Sequence, residues 1–379
     1  MQTLTPEDLE LLRDTANRFF SDEMPLSSLR RLRDDIDPTG FDRDRWRDMA
    51  DMGWTGILVG EDDGGIDFGY AALGVVLEQS GRTLAASPLV STALIGAPLV
   101  AALANETQRA AVLGDVVAGN CILALALDER ARHTPDLIAT TATASGDAYT
   151  ISGEKTFVLD GHIADRLLVV ARTRGEPQAS DGISVFLVDP ETTGITRRRT
   201  IMVDGRNAAN ITFANVAVPS TALLGPRDGA GPALEAVLDG ARAGLAAEML
   251  GTGVEAFDRT IEYLKVREQF GVPIGSFQAL KHRAAEMYCE IELARSAAYA
   301  ALEALDARDD DTAELASLAK TKACEMLELV SNEAVQLHGG IGMTDAADIG
   351  LFLKRARVAQ QCFGDALFHR NRYADLIGI

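Results

Sequence analysis

Two groups of residues in the last third of the chain include glycines whose spacing suits phosphate binding. Glycines at the end of a helix let another molecule approach the backbone, and the N–H groups there can hold phosphate. A Gly-Gly pair after a helix is more often a simple C-cap, so each group alone is a weak signal. Both together, within one helical region, are much more specific. The groups are Arg267, Phe270, Gly271 and Gln278 in and after an Arg-x-x-Phe-Gly segment, and Gln336, Gly339 and Gly340 in a Gln-x-x-Gly-Gly segment.

A third feature is the bend Phe363-Gly364-Asp365, which interrupts a helical pattern near the end of the chain. A glycine within a helix costs about 1 kcal/mol relative to alanine, so a glycine here indicates a packing or functional reason. The bend also places a carboxylate beside an aromatic ring. Because an acid at such a position can take a proton from a substrate, Asp365 is a candidate general base.

The composition is that of a globular protein that does not bind polyanions by default. The chain has 379 residues, of which 47% are apolar, and its formal net charge is −20. This charge argues against nucleic acid and against anionic membranes as partners. It leaves room for an anionic ligand, which needs only a few local arginines and backbone N–H groups.

The cysteines and the first residues indicate a reduced protein without a membrane segment. The four cysteines, at positions 121, 289, 324 and 362, form no C-x-x-C pair, so we expect neither a metal site nor a disulfide framework. The first residues lack the basic and apolar regions of a signal peptide. Residues 93–104 are apolar but too short to span a bilayer. We therefore expect a cytoplasmic protein without membrane insertion.

The order of hydrophobic patterns predicts an α+β fold that is mainly helical. Helical patterns run to about residue 120, short β-branched runs follow, and helical patterns return after residue 225. Four long helices are predicted at roughly 231–266, 276–307, 311–338 and 347–376. We expect an N-terminal helical domain at 1–120, a mostly antiparallel β-domain at 121–225 and a C-terminal four-helix bundle at 226–379.

Smaller expectations concern turns and core residues. Gly153 and Gly194 have the surroundings of turn residues. The three arginines at 197–199 are most simply part of a solvated strand or loop. Trp46 and Trp54 are expected in the hydrophobic core of the helical domain.

These segments together resemble the acyl-CoA dehydrogenase flavoprotein family over nearly the whole chain. The Arg-x-x-Phe-Gly and Gln-x-x-Gly-Gly segments, called the cofactor-type segments below, carry part of this resemblance. In addition, residues 59–89 resemble the family's acidic Gly-Gly loop and following helix, and ITFANVAVPSTALLG resembles the end of its β-domain. The resemblance implies the same order of three domains. It also implies FAD-dependent oxidation of an acyl-CoA thioester to the 2,3-enoyl-CoA. In that reaction a glutamate removes the α-proton and the flavin accepts hydride from the β-carbon.

The positions that hold the catalytic glutamate in the family are occupied by other residues here. Aligned on the glycine of the bend, the usual glutamate position holds Phe363. The alternative position, on the first bundle helix, holds Ala241. The resemblance implies substrate binding by Arg242, which is retained, and by the nearby Asp239. Because neither usual base is present, no catalytic residue is certain, and Asp365 is the candidate substitute.

The family's flavin-facing segments are also altered. Its Thr-Glu-Pro loop corresponds to residues 127–134, and its Trp-Ile-Thr segment corresponds to Phe157, Val158 and Leu159. A leucine cannot donate the hydrogen bond that a threonine hydroxyl would supply. The resemblance therefore implies that the chain's own flavin is weakly bound or absent.

The retained segments belong to a different part of the family's cofactor site. In the family each FAD lies across a dimer interface, where these segments of one subunit hold the adenosine and pyrophosphate of its neighbour's FAD. This pattern resembles the small, non-catalytic subunits of two-subunit dehydrogenases, such as pimeloyl-CoA and steroid side-chain acyl-CoA dehydrogenases. The residues that match are Arg267, Phe270, Gln278, Gln336, Gly339 and Gly340.

The resemblance thus favours a subunit that clamps FAD for a homologous catalytic partner, in a heterodimer or an α2β2 tetramer that acts on acyl-CoA. Electron-transfer flavoprotein is a possible further partner. Two alternatives stay open. One is a homo-oligomeric flavoenzyme with Asp365 as a relocated base, and the other is a non-enzymatic scaffold that binds CoA or a partner protein. His338 and His369 are interpreted as packing or surface histidines.

Overall fold

Helices form the two ends of the chain, and strands form its middle. The computed structural model describes residues 4–179 and 181–379. A fully buried π-helix, Leu89–Gly96, precedes α5. The α-helices of the described residues are α1 (Pro6–Glu23), α2 (Leu26–Asp34), α3 (Arg43–Asp51), α4 (Gly69–Arg82), α5 (Ala97–Leu103), α6 (Glu106–Val117), α7 (Gly231–Val266), α8 (Gln278–Ala307), α9 (Thr312–His338), α10 (Ile349–Gln361) and α11 (Ala366–Ile377).

The middle of the chain forms one mixed sheet. Its strands are β1 (Leu123–Ala126), β2 (Thr141–Ser145), β3 (Ala148–Leu159), β4 (Arg166–Arg172), β5 (Ile183–Val188), β6 (Ile195–Ile201), β7 (Asn207–Pro219) and β8 (Leu223–Leu224). Their order is β6-β7-β3-β2-β4-β5-β8, with β1 paired to β4. The pairs are antiparallel except where β1 and β2 meet β4. A separate small hairpin consists of β9 (Glu268–Gln269) and β10 (Val272–Pro273).

The predicted fold class is confirmed: helices, then a mostly antiparallel β-region, then helices again. The parallel pairing of β1 with β4 is not indicated by the sequence, because these strands are separated by a long stretch that contains two other strands. Among the described residues, no helix is both long enough and apolar enough to cross a membrane.

The last of the four predicted long helices is in fact two helices. α10 ends at Gln361 and α11 begins at Ala366. Between them, Phe363 and Gly364 have φ angles of 57° and 104°, in the left-handed region that a right-handed helix cannot contain. Residues 362–365, called the elbow below, therefore divide the predicted helix rather than bend it.

Strand β3 is irregular at two points. Its pairing with β7 shifts register between Ile151 and Gly153 and again between Lys155 and Val158. Gly153 lies inside this strand, with φ of 151°, so the prediction of a turn there is wrong. A Cβ at Gly153 would lie 2.4 Å from the Thr140 hydroxyl oxygen. Glycine is needed because a neighbouring segment passes close against the bulged strand.

The predicted turn glycine and the arginine run both lie at edge strand β6. Gly194 lies in the turn before this strand, with φ of 96°, as predicted. The arginine run is part of β6 itself. Arg197 Nη1 donates to the His162 carbonyl at 3.1 Å, and Arg199 Nε donates to Asn207 Oδ1 at 2.6 Å. The prediction of a strand is therefore right. Arg198 is exposed as expected, whereas Arg197 and Arg199 are partly buried and bind neighbouring segments.

The described residues divide into two compact units. The first contains Ile36–Gly69 and Ala86–Ala241, and the second contains Leu4–Asp35, Tyr70–Ala85 and Arg242–Ile379. The three domain boundaries proposed from the sequence stay a prediction. In the first unit the sheet residues form one buried hydrophobic cluster. Both tryptophans of this unit are buried, as expected.

In the second unit, α4 and α7 cross with their backbones in contact. A Cβ at Gly81 would lie 2.1 Å from the Glu248 carbonyl oxygen. A Cβ at Gly251 would lie 1.8 Å from the Glu78 carbonyl oxygen. Only glycine allows the two helices to approach this closely.

The carboxylate of Glu78 joins three helices of the same unit. It is buried and accepts hydrogen bonds from Arg13 and Arg295, each at 2.9 Å, and from the Tyr299 hydroxyl. Burial alone would raise the pKa of Glu78, but the bonds from Tyr299 and Arg13 outweigh it, and the pKa is lowered. The group therefore stays ionised, and the cluster fixes α1 and α8 against α4.

Gly251→Ala is expected to lower the free energy of unfolding by about 1–3 kcal/mol, because the added methyl group overlaps the α4 backbone. Gly114→Ala in α6 is the matched control, since a Cβ there meets nothing within 4 Å. The control is expected to gain up to about 1 kcal/mol from helix propensity. Urea-induced unfolding measures both values. Equal stability of the two variants would contradict the close crossing.

Candidate functional site

The Arg-x-x-Phe-Gly segment forms a tight β-hairpin directly after α7. Gln269 of β9 pairs with Val272 of β10, and the turn residues Phe270 and Gly271 have φ angles of 55° and 78°. Positive φ at both positions is the type I′ turn, whose twist matches that of paired strands. The turn presents the Phe270 side chain outward, with 93% of the residue exposed. Arg267, just before β9, is also exposed.

The Gln-x-x-Gly-Gly segment borders a cavity of about 340 Å³ at the end of α9. Gly339 has φ of 65°, so its backbone conformation favours glycine. Gly340 has no such φ, and a Cβ there would meet nothing within 4 Å. Neither backbone strain nor packing explains this second glycine, which favours a functional reason. The cavity is lined by Asn332, Val335, Gln336, Gly339, Gly340, Met343 and Leu353.

His338 connects the two cofactor-type segments. Its ring stacks on Tyr263, with the ring centroids 4.4 Å apart, and the Tyr263 carbonyl accepts a hydrogen bond from Arg267 N at 2.9 Å. Nδ1 of His338 donates to the Ala334 carbonyl at 2.7 Å, and burial lowers the pKa of the ring. This packing histidine holds the last turn of α7 beside the end of α9. Gln278, the remaining cofactor-type residue, is exposed at the first position of α8.

The elbow is held from the inside by Lys320 of α9. This side chain is fully buried, and its ammonium group donates to the carbonyls of Ala359 at 3.2 Å, Gln360 at 3.3 Å and Gly364 at 2.9 Å. The first two belong to the last turn of α10, where a helix leaves carbonyls without internal partners. Lys320 therefore closes the end of α10 and ties it to the turn that follows.

His369 of α11 holds the other side of the elbow. Its Nε2 lies 2.9 Å from the Phe363 carbonyl oxygen, and its Nδ1 lies 3.4 Å from Ser317 Oγ. Because a carbonyl only accepts, Nε2 carries the proton and the serine hydroxyl donates to Nδ1. Burial, followed by the charges of Lys320 and Arg242, lowers the pKa of His369 to about 2. The ring therefore stays neutral, and its bond to the elbow persists at neutral pH.

Three residues of the elbow have distinct surroundings. A Cβ at Gly364 would lie 2.4 Å from the Phe368 ring, so only glycine fits. Asp365 is the N-cap of α11, and its Oδ1 accepts the Phe368 N–H at 2.8 Å. This candidate base already has a structural role, and its catalytic role stays a prediction. Phe363, at the position where the resemblance predicts the glutamate, is partly buried.

The second position predicted for a base lies on α7 in a fully buried stretch. Ala241 has no exposed surface, and Asp239 and Arg242 beside it are buried too. The Arg242 guanidinium lies 5.9 Å from the centroid of the Phe368 ring, within the range of a cation–π contact. Substrate binding by Asp239 and Arg242 stays a prediction.

The two segments of the first unit that are predicted to face the flavin lie against each other. Thr156 N donates to the Asp128 carbonyl at 2.7 Å, and the buried Lys155 ammonium donates to Glu129 Oε1 at 2.7 Å. Next to this anchor, the register shift of β3 turns Phe157 outward, with 49% of the residue exposed. The segment that corresponds to Trp-Ile-Thr therefore has an exposed aromatic ring at Phe157, whereas Leu159 has no hydroxyl group.

Lys155, Lys320 and His369 hold these segments, yet none of them is marked by a motif. A lysine in a strand or helix usually belongs to a solvated face, so sequence reasoning passes over it. For Lys320 one signal exists. Helical spacing places it on the same face as Ala316, Ala323 and Leu327, which form a buried stripe.

The first unit contains a second cavity, of about 440 Å³, at the start of α7. Its walls are mainly apolar, with Asp136, Gln178 and Glu235 as polar groups. This volume lies in the range of small-molecule sites. The cavity is lined by Pro135, Asp136, Gln178, Ala179, Ile183, Gly231, Pro232, Leu234, Glu235 and Leu238. Within residues 4–179 and 181–379, no group of three or more His, Cys, Asp or Glu side chains could hold a metal ion.

Comparison with known proteins decides the family of this chain. Family models for the N-terminal, middle and C-terminal domains of acyl-CoA dehydrogenase match residues 6–120, 128–216 and 227–377. The chain belongs to the acyl-CoA dehydrogenase family. Members of this family are FAD-dependent oxidoreductases, and FAD is the cofactor to which the family and its structures point.

Relatives of this acyl-CoA dehydrogenase-family chain are similar over nearly its whole length. Acyl-CoA dehydrogenase IpdE2 of Mycobacterium tuberculosis is 31% identical over 360 residues, which cover 94% of this chain and 93% of that protein. A solved structure of a variant of the Tcur3481-Tcur3483 steroid ACAD is 34% identical, with a TM-score of 0.87 and 98% of both chains covered. The ChsE4-ChsE5 complex from Mycobacterium tuberculosis is 25% identical, with a TM-score of 0.88 and coverage of 100% and 99%.

The residues of the second unit fit the nucleotide part of FAD. Asn332 and Gln336 supply amide groups to the cavity at the end of α9, and Gly340 leaves its backbone accessible. The cavity lining contains no carboxylate. Arg267 adds an exposed cation with donors that suit phosphate oxygens. A neutral and cationic set of donors is what a pyrophosphate needs.

His369→Gln is expected to make the stability of the chain less sensitive to acid. A histidine with a pKa of about 2 when folded and 6.5 when unfolded gives its full stabilisation above pH 6.5 and loses it as the pH falls. Between pH 7.5 and pH 5 this loss amounts to about 2 kcal/mol in the wild type, and the variant lacks it. Urea unfolding at the two pH values measures the difference.

The glutamine amide can still donate to the Phe363 carbonyl, so the elbow should persist in this variant. His282→Gln, at an exposed position of α8, is the control and should keep the acid sensitivity of the wild type. Identical pH dependence in the wild type and in His369→Gln would show that the ring is not buried as a neutral group.

Proposed function

We propose that this chain is a subunit of an FAD-dependent acyl-CoA dehydrogenase complex, in which it clamps the FAD of a homologous catalytic partner. The observation that supports this proposal is a contrast between two sets of residues. The cofactor-type segments are intact and exposed on a rigid hairpin and at a helix end. The two base positions hold Ala241 and Phe363, which have no group that can take a proton.

The chemistry of the family explains why this contrast matters. The C–H bond next to a thioester is a weak acid, so a base must lie within reach of the α-proton. A methyl group and a phenyl ring cannot accept that proton. When bound, FAD supplies the oxidant for the hydride that leaves the β-carbon. A partner that provides the base would reconcile an intact cofactor clamp with the missing base.

The clamp would use both segments of the second unit. Gln336, Gly339 and Gly340 border a cavity without carboxylates, so they are proposed to hold the pyrophosphate. Arg267 would balance its charge. The exposed ring of Phe270 offers an aromatic face to the adenosine, and its hairpin fixes the direction in which that face points. Gln278, exposed at the start of α8, completes the proposed set.

The cavity at the start of α7 is the proposed site for acyl-CoA in this chain. Leu238 lines this cavity, and Asp239, a predicted substrate-binding residue, follows it directly. Apolar walls with a few hydrogen-bond acceptors suit the pantetheine arm, which carries amide groups and no charge. The carboxylates of Asp136 and Glu235 disfavour the phosphates of CoA at the same place.

Two of the similar structures support a heteromeric assembly. One is the ChsE4-ChsE5 complex, and the other is the Tcur3481-Tcur3483 steroid ACAD. By this likeness we extend the proposal to a complex of this chain with a second, homologous subunit. The likeness also favours a bulky acyl group as the substrate of that complex.

A homo-oligomeric enzyme with Asp365 as its base is the second candidate. The observation that favours it is the position of this carboxylate in the elbow, two residues from the lost glutamate. The hydrogen bond from Phe368 N to its Oδ1 weighs against it, because the group is already used as a helix cap. A scaffold that binds CoA or a partner without catalysis is the third candidate.

The chain purified alone is expected to carry almost no FAD and to gain it when co-purified with its homologous partner. The physical reason is that the clamp serves a neighbour, whereas the chain's own flavin-facing contacts are altered. Flavin absorbance relative to protein measures this. A yellow homomer with about one FAD per chain that acyl-CoA reduces would contradict the proposal. Absence of flavin even with the partner would favour the scaffold.

Two variants of the co-purified complex show whether the clamp itself is responsible. Gln336→Ala removes a donor from the cavity, which should weaken FAD binding by about tenfold or more. Glu303→Ala, at an exposed position of α8 outside that cavity, should leave the affinity unchanged. Titration of the flavin-free complex with FAD measures both values. Equal affinities would remove Gln336 from the clamp.

Asp365→Asn separates capping from catalysis at the elbow. Asparagine caps helices about as well as aspartate, so α11 should form normally. An amide cannot act as a general base. The proposal therefore expects an unchanged rate of flavin reduction by acyl-CoA in the complex, measured by stopped-flow absorbance. Loss of reduction in this correctly folded variant would make Asp365 the base and favour the homomeric enzyme.

A further inference from the structure

Arg172 supports one wall of the cavity at the start of α7 from behind. It is the last residue of β4 and is only 4% exposed. Its guanidinium group donates to five backbone carbonyls, at N···O distances from 2.7 to 3.5 Å. These carbonyls belong to Ile138, Arg174, Pro177, Ala179 and Asp181.

The carbonyls lie on the same two segments that line the cavity. One segment contributes Pro135 and Asp136 to the lining, and the other contributes Gln178 and Ala179. Residues 173–179 and 181–182 belong to no helix or strand. Backbone bonds from Thr173 N to the Gly182 carbonyl at 2.9 Å and from Ile138 N to the Pro177 carbonyl at 3.0 Å fasten them at single points. A planar guanidinium donates in fixed directions, and it can therefore orient several peptide groups at once.

The opposite wall of the cavity is fixed by other contacts. Ala230 N, just before α7, donates to the Ile183 carbonyl at 3.0 Å. Asp228 N donates to Ser184 Oγ at 2.9 Å, and the Asp228 carboxylate accepts from the Thr173 hydroxyl at 2.6 Å. The start of α7 is thus tied to β5 by its own bonds. The loop after β4 shares the Thr173–Asp228 bond, and beyond Thr173 its carbonyls at Arg174, Pro177, Ala179 and Asp181 each accept from Arg172.

We propose that Arg172 is a positioning residue for acyl-CoA binding in this chain. It holds the loop wall at the distance from α7 at which the uncharged pantetheine arm fits. The guanidinium itself does not touch the ligand, because carbonyls surround it and it lies behind the wall. This inference rests on the proposed function of the cavity.

Arg174 provides a matched control on the same loop. Its side chain is 61% exposed, and it pairs with the Asp181 carboxylate at 2.6 Å. Arg174→Gln removes the same charge from the same loop without removing the buried hydrogen bonds. A difference between Arg172→Gln and this variant therefore reports on the buried contacts and not on the charge of the loop.

The test measures binding of two probes to the full-length chain by calorimetric titration. The probes are S-hexyl-CoA and S-hexyl-pantetheine, thioethers that lack the reacting carbonyl and are not oxidised. Arg172→Gln is expected to weaken both probes by about tenfold or more, because five backbone carbonyls of the two wall segments lose the guanidinium donor. Arg174→Gln should bind within about twofold of the wild type. Titrations are run well below the melting temperature of each variant, so lower stability alone does not change the affinity.

Arg172→Lys is a second variant, which keeps the positive charge at this position. An ammonium group has three donors in place of five, so its affinity should lie between those of the wild type and Arg172→Gln. If Arg172→Gln does not fold, the lysine variant decides alone. Affinity equal to the wild type would then overturn the inference, and a loss on both probes would support it.

Three results would overturn the role of Arg172. They are unchanged affinity in Arg172→Gln, an equal loss in Arg174→Gln, and a loss confined to the CoA probe. The last result would mean that the residue acts on phosphate groups. A wild-type chain that binds neither probe would instead overturn the proposed function of the cavity, so the two failures are distinguishable.

Discussion

A buried ammonium group determines the shape of the chain where the family's catalytic glutamate would lie. Lys320 has no exposed surface and donates to three carbonyls, two from the last turn of α10 and one from Gly364. A buried acceptor left without its donor costs about 1–3 kcal/mol, and a buried cation without acceptors costs far more. The carbonyls of the elbow region therefore require the ammonium group, and the ammonium group requires the carbonyls. The elbow keeps its conformation through backbone groups, so it does not depend on which side chain stands at position 363.

Buried cationic side chains also donate to backbone carbonyls in the first unit. The buried ammonium of Lys155 donates to the Leu127 carbonyl at 2.9 Å, and Arg172 holds five carbonyls. In each case the segment that is held has little regular structure of its own. Binding and catalytic residues tend to lie on such loops, which need a scaffold to position them. Here the scaffold is a set of cations, each extending from a strand or helix into a group of backbone oxygens.

These contacts between a buried cation and distant carbonyls also explain which features the sequence could predict and which it could not. The Arg-x-x-Phe-Gly segment, the Gly339-Gly340 pair and the bend at Gly364 are marked by residues a few positions apart, so the sequence indicated them. It did not indicate that the first forms a hairpin or that the last separates two helices. Lys320 depends on carbonyls about forty positions further along the chain, and a lysine in a helical pattern normally indicates a solvated face. Gly153 failed as a turn for a related reason, since the need for glycine comes from Thr140 of another segment. Local patterns predict local geometry, whereas contacts between distant segments decide which polar residues are buried.

The two candidate sites of the second unit need different explanations. The elbow is part of a packed interior, because Gly364 lies against Phe368 and His369, and His369 is fully buried. Packing alone is enough to maintain it, whether or not position 363 carries a base. The proposed clamp has no such packing around it. The Phe270 ring is almost fully exposed, which is unfavourable for an aromatic side chain in water, and Gly340 meets no neighbour that would exclude a larger residue. The proposed function accounts for both features, because a bound nucleotide would cover the exposed ring and would approach the open backbone at Gly340.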